Sequence, residues 1–224
     1  RSPEAVVDEL EALAAVARPD HLWFADDIFG LKPGWIERYS QLVNERGIVL
    51  PFKCLSRPDL LVKGNTIDEL AAAGCDIVWV GAESGSQRIL DAMEKGTTVE
   101  QIVDAADRVH QAGFRIAFFL QFGYPGEDRA DIDATFDLVR RAKPDDIGMS
   151  VSYPLPGTKF HERVVDQLGE VRNWQDSDDM AMLFDGPFTT EFYRQLHTTL
   201  HRDYRSRRMW WRWRAGARPS ARAI

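Results

Sequence analysis

The most restrictive feature of this chain is an alternation. Short apolar runs are separated by segments of helical period, and glycine, proline or a capping residue marks the junctions. A helix is expected over 3–17, where Val6, Leu10, Leu13 and Ala14 share one face and Ser2 caps the start ahead of Pro3. Strands are expected at 21–25, 49–56, 76–83, 115–122 and 147–153. Helices are expected at 33–46, 66–74, 86–95, 98–112, 131–142 and 158–168. One helix followed by five strand–helix units predicts an α/β fold with a parallel sheet, since apolar strands joined through helices pair that way. Right-handed connections leave two architectures, a doubly wound sheet or an open or closed barrel.

One alternate face of the strands separates these. It carries Gly81 and Glu83, Gln121 and Gly123, then Gly148, Ser150 and Ser152. A sheet buried evenly between two helix layers has no use for small and polar residues on one side, whereas a barrel lumen that admits a polar ligand does.

Composition narrows the function classes. The chain has 224 residues, 44% of them hydrophobic, which suits one ordinary domain and excludes disorder. No apolar run reaches the ~18–20 residues of a membrane span. Only Cys54 and Cys75 occur, so a disulfide scaffold and a zinc site built on a cysteine run are both excluded. The first residues read as a helix rather than a signal peptide, and a cytoplasmic location is expected. The net charge of −7 hides a division: residues 202–224 hold eight of the 28 basic residues and one of the 35 acidic ones, which leaves the rest at −14. Nucleic acid is not expected as the partner of so acidic a body.

Polar and glycine-rich segments fall at the C-terminal ends of the strands: Asp26–Asp27, Ser56–Arg57, 83–84, 123–127 and 153–157. Ligand sites of β/α barrels and open sheets are built there. Glu83-Ser84-Gly85-Ser86 offers a carboxylate and hydroxyls to a ribose or amino group, or simply caps the next helix through Ser86. Gly123-Tyr124-Pro125-Gly126-Glu127 would let backbone approach a flat ligand.

In combination these segments resemble the radical S-adenosylmethionine (SAM) superfamily, specifically the cobalamin-binding subgroup. The resembling stretches are FADDIFGL (24–31), PFKCLSRPDLL (51–61), VWVGAESGSQRILDAMEKGTT (78–98), FFLQFGYPGE (118–127) and VSYPLPGT (151–158). The resemblance implies a partial TIM-like (β/α)6 barrel over 1–170 and SAM across the strand ends. Glu83 and Ser84 would then contact ribose or the methionine moiety. Gly123, Pro125, Gly126 and Glu127 would support adenine, with backbone near Tyr153 and Pro154 beside it. Asp26, Asp27 and Arg57 would line the mouth near SAM or substrate, although a structural Arg57–Asp pair is an equal alternative.

The same resemblance implies a four-iron–four-sulfur cluster on a CxxxCxxC loop after the first strand, and no such motif occurs here. Cys54 and Cys75 read as small core residues. With five strands against the family's six, the first strand and its loop are the expected missing unit. A fragment, a split protein completed by another chain and a cluster-free binding module all stand open. Cobalamin, if used, is expected on a missing N-terminal region, in cis or as a separate chain, and the substrate is expected to be a small molecule.

The histidines do not restore a metal site: His110 and His161 are isolated, and His197 and His201 share a helix face without a third ligand. A hydrolase or aldolase barrel would need a lumen lysine with a partner, and Lys53 has no histidine beside it. Beyond 170, an extension (171–214) is expected to close one barrel end with a long helix over 188–213, and 215–224 is expected to be a disordered basic tail. In RRMWWRWR (207–214), the tryptophans are expected to pack on the barrel while the arginines face the acidic body. The alternatives are contact with a membrane interface or stacking on single-stranded nucleic acid.

Overall fold

The computed structural model describes residues 1–168 and 180–214, with side chains to residue 211. Along the chain run α1 (Pro3–Ala17), β1 (Leu22–Trp23), α2 (Trp35–Glu45), β2 (Phe52–Ser56), α3 (Pro58–Leu61), α4 (Thr66–Ala72), β3 (Cys75–Glu83) and α5 (Gln87–Ala92). They are followed by α6 (Val99–Gln111), β4 (Arg115–Phe122), α7 (Arg129–Ala142), β5 (Asp146–Val151), α8 (Lys159–Val164) and α9 (Thr190–Arg214).

The helix starts follow local chemistry. The Ser2 hydroxyl accepts from the Ala5 N–H at 3.2 Å with Pro3 in the first turn. Reciprocal capping boxes open α6 (Thr98 with Gln101) and α7 (Asp128 with Asp131). One expectation fails at this level: Asn65 rather than Thr66 precedes α4. The turn α3 has no counterpart among the expected elements, because PDLL is too short to carry a period.

The five strands form one sheet in the order β1-β2-β3-β4-β5, with β1–β2 and β2–β3 parallel. Sequential order decides between the two architectures. A doubly wound sheet reverses direction part-way through its strand order, whereas strands added always on the same side send their right-handed connections to one face, as in a barrel wall. The other face stays accessible. On β3 and β4, Val78, Val80, Ala82, Ile116, Phe118, Leu120 and Phe122 are buried, while Trp79, Gly81, Glu83, Phe119 and Gln121 are less so.

The chain divides into two compact units. The first (1–82, 96–119 and 144–146) contains α1–α4 and α6. Its core includes an aromatic cluster of Phe24, Phe29, Tyr39 and Phe52, with ring centroids 4.5–6.0 Å apart. The second (83–95, 120–143 and 147–224) contains α5, α7, β5, α8 and α9. There α9 buries Tyr193, Leu196, Leu200 and Tyr204, a stripe at spacings of three and four. At ~1.5–3 kcal/mol per buried side chain, that stripe accounts for why α9 docks.

The stripe does not extend to the last turns. Trp210 is about half exposed and Met209 more so, so the expected packing of the tryptophans is not met at 210. Arg207 pairs with Asp203 of its own helix, and Asp203 also faces Arg140 of α7. The expected disorder of 215–224 lies outside the described residues, as do positions 171–179 of the expected extension. Among the described residues, no helix is long and apolar enough to cross a membrane.

Candidate cofactor site at the strand ends

Of the eleven residues singled out in the sequence, eight fall in the second unit: Glu83, Ser84, Gly123, Pro125, Gly126, Glu127, Tyr153 and Pro154. At the end of β3, Glu83 takes a left-handed backbone, φ 56°, which is uncommon without glycine and costs on the order of 1–3 kcal/mol. Strain of this size persists where surrounding contacts over-determine it. Lys95, just beyond α5, donates to Glu83 Oε1, and the Glu83 side chain is 13% exposed. Sequence reasoning missed Lys95. Its signal was present, a lysine ahead of Gly96 at the close of the helix that begins at the strand end.

The three residues after Glu83 are fixed to α7. Ser84 is fully buried, and its hydroxyl meets Thr135 Oγ1 at 3.3 Å and accepts from the Ser86 N–H at 3.1 Å. The Gly85 N–H donates to Thr135 Oγ1 at 2.9 Å, and a Cβ on Gly85 would lie 2.1 Å from the Ala134 carbonyl oxygen. Ser86 precedes α5 but makes no side-chain cap. Its hydroxyl donates to Asp131 Oδ1 at 2.6 Å. Arg88 ties the next strand end to the same point, with bonds to Asp131 and, at 3.0 Å, to the Gly126 carbonyl. These opposing contacts hold the Asp131 carboxyl below its ordinary range despite its burial.

Tyr124-Pro125-Gly126-Glu127 is a type II turn, closed by Glu127 N–H to Tyr124 O at 3.0 Å, with φ 86° at Gly126. Ahead of it, Gly123 has φ 78°, and a Cβ there would meet Met182 Sδ at 3.0 Å and Tyr193 Cζ at 3.3 Å. Glu127 closes the turn from inside. It is 3% exposed, and its Oε2 accepts from the Gly123 N–H at 2.7 Å. Burial, with Asp131 and Asp128 nearby, outweighs that hydrogen bond and pushes its carboxyl up to about 7. Tyr124 Oη donates to the Ala92 carbonyl at 2.8 Å, and Gln121 donates to Ser152 Oγ at 3.0 Å just ahead of Tyr153 and Pro154.

The remaining three residues lie in the first unit. Asp26 and Asp27 are exposed, and Asp26 lines a cavity of about 490 Å³ with Phe24, Phe29, Leu31 and Trp35. Arg57 takes the structural alternative with Asp59, its Nε 2.8 Å from Oδ1.

SAM fits the second unit's donor set. Glu83 and Lys95 present opposite charges, as an amino-acid zwitterion requires, and Pro125 and Gly126 of the type II turn are exposed. The two cysteines of this chain do not suit a four-iron cluster. Cys54 and Cys75 are buried on β2 and β3 and face each other, and that contact and burial push the Cys54 thiol up, away from the thiolate a cluster needs. Among the described residues, no group of three His, Cys, Asp or Glu side chains could hold a metal.

Known proteins share this fold. The chain is 28% identical over 180 residues to an uncharacterized methyltransferase of Pyrococcus horikoshii, covering 78% of this chain and 38% of that protein. It is 32% identical over 176 residues to a putative methylthiotransferase of Methanocaldococcus jannaschii, covering 71% and 39%. Its fold matches the radical SAM methyltransferase TsrM from Kitasatospora setae, solved with cobalamin and a [4Fe-4S] cluster, at a TM-score of 0.65 and 25% identity over 75% of this chain and 32% of that one. The chain thus spans well under half the length of these relatives. The family model of the radical SAM superfamily matches residues 1–139, and the chain belongs to that superfamily.

Proposed function

We propose that the second unit binds SAM as the barrel portion of a cobalamin-type radical SAM methyltransferase acting on a small molecule. The Glu83–Lys95 pair is the observation that carries this. A strained backbone at a strand end aims a carboxylate at a lysine in a partly exposed position, where a methionine moiety can exchange partners with both. Glu83 would take the ammonium and Lys95 the carboxylate of SAM. Pro125 and Gly126, held in place through Gly123 and with backbone near Tyr153 and Pro154, would support the adenine. Ser84 and Glu127 would act indirectly, Ser84 by locking the segment after Glu83 onto α7 and Glu127 by holding Gly123. Bound SAM supplies an electrophilic methyl group and a carbon–sulfur bond open to reductive cleavage. Asp26 and Asp27 would face substrate rather than SAM, and Arg57 would stay with Asp59 as a structural pair.

Isothermal titration with SAM tests the reading. The chain should bind, and Glu83→Gln and Lys95→Met should each weaken binding about tenfold or more, the cost of losing one charged hydrogen bond. Equal affinity in both variants would refute it.

The burial of both cysteines favours one second reading, a module that binds SAM without cluster chemistry. Anaerobic reconstitution with iron and sulfide separates the two. If the chain takes up a cluster with its brown charge-transfer absorption, the module reading is lost.

A further inference from the structure

We infer that Tyr193, on α9, is a positioning residue for the Gly123–Glu127 turn: its hydroxyl braces the Glu127 carboxyl, which holds the Gly123 N–H. Its bearing on SAM rests on the function proposed above, but the bracing itself does not.

Three observations converge. The Gly123 N–H is spent on Glu127 Oε2 at 2.7 Å, so the conformation entering the type II turn depends on where that carboxyl sits. The carboxyl's other oxygen, Oε1, and the Tyr193 hydroxyl are both buried and face each other without closing a bond of standard geometry. Lastly, the ring end of Tyr193 lies directly over Gly123, 3.3 Å from where a Cβ would be. Tyr193 is wholly buried, so its hydroxyl has no access to solvent.

A buried polar atom left unpaired costs ~1–3 kcal/mol, and here two such atoms sit opposite one another. They can satisfy each other in either protonation state. A neutral Glu127 donates to the tyrosine oxygen, and an ionised one accepts from the tyrosine hydroxyl. The other groups facing the pair are the carboxylates of Asp131 and Asp128 at the start of α7, which disfavour charge on Glu127, and the Phe188 N–H, which faces the Tyr193 oxygen. The C-terminal helix, absent from the 1–139 match to the family, thereby reaches the turn expected to support adenine.

Tyr193→Phe tests this, because it keeps the ring over Gly123 and removes only the hydroxyl. The readouts are the exchange rate and the pH titration of the Gly123 amide proton by NMR, neither of which requires SAM. In the wild-type chain the amide shift should titrate with a midpoint near the Glu127 value of about 7. In Tyr193→Phe the midpoint should rise, since the donor that favours the charged form is gone, and exchange should accelerate about tenfold as the anchor loosens. Glu127→Gln should abolish the titration while keeping an oxygen for Gly123. An unchanged midpoint and exchange rate in Tyr193→Phe, or a titration that persists in Glu127→Gln, would overturn the inference. If the Gly123 readouts move while no form of the chain binds SAM, the bracing stands and the proposed function fails.

Discussion

The two units carry the same sequence signature and put it to different structural use. In the first, the polar residues after the strands face solvent or pair locally. Asp26 and Asp27 are exposed, and Arg57 turns back onto Asp59 two residues away. In the second, Ser84, Ser86, Asp131 and Thr135 are knit into one network with backbone amides, Glu127 holds the Gly123 amide beside it, and the Glu83–Lys95 pair lies at the end of β3 ahead of them. A polar residue at a strand's end is therefore not in itself a ligand contact. In the second unit most of them fix backbone, and pre-fixed backbone lets a few groups recognise a ligand without paying to order themselves.

The contrast breaks most severely at Gly85. An alanine there would place its Cβ 2.1 Å from the Ala134 carbonyl oxygen, and backbone cannot move aside as a side chain can. Gly85→Ala should destabilise by about 3 kcal/mol or more in denaturant unfolding. Glu127→Gln should move stability the other way, and only at higher pH. The folded carboxyl sits at about 7 against an ordinary 4.5, so between those values the folded chain holds a proton that the unfolded chain releases. Its contribution is complete below about pH 4.5 and is lost as pH rises through 7. Removing the charge should then stabilise the chain by roughly 2–3 kcal/mol at pH 8 and leave it unchanged near pH 4, as read from unfolding curves at the two pH values.

Ser86→Ala removes the 2.6 Å bond to Asp131 and should cost about 1–2 kcal/mol in the same assay. Smallest of all, replacing Asp26 and Asp27 together by asparagine should change stability by no more than ~0.5 kcal/mol, because both are exposed. A large loss there would mean that the first unit's strand ends are also built into the fold.

How far this was legible in the sequence follows the range of the forces involved. Helix α1 and strand β4 have the bounds their periods predicted, 3–17 and 115–122, because caps and alternation are local. The barrel-like sense of the strand order could be read from the small, polar alternate face. The shape of the site was harder. Nothing in GYPGE signals that Glu127 is buried, and the Tyr193 hydroxyl that faces it comes from 66 positions later. Ser84 and Ser86 look available to a ligand because Thr135 and Asp131, which occupy them, come from another helix. Lys95 is missed for a related reason. A lysine at a helix end reads as a cap, and its role appears only once the strained Glu83 backbone turns a carboxylate toward it.

The central claim is that the second unit's strand ends, and not the first's, hold the cofactor. Calorimetric titration of SAM into the wild-type chain, Glu83→Gln and the double Asp26→Asn, Asp27→Asn variant tests it directly. The account predicts binding to the wild type, a loss of about tenfold or more in Glu83→Gln, and unchanged affinity in the double variant. Equal binding by Glu83→Gln, or a loss confined to the aspartate variant, would contradict it.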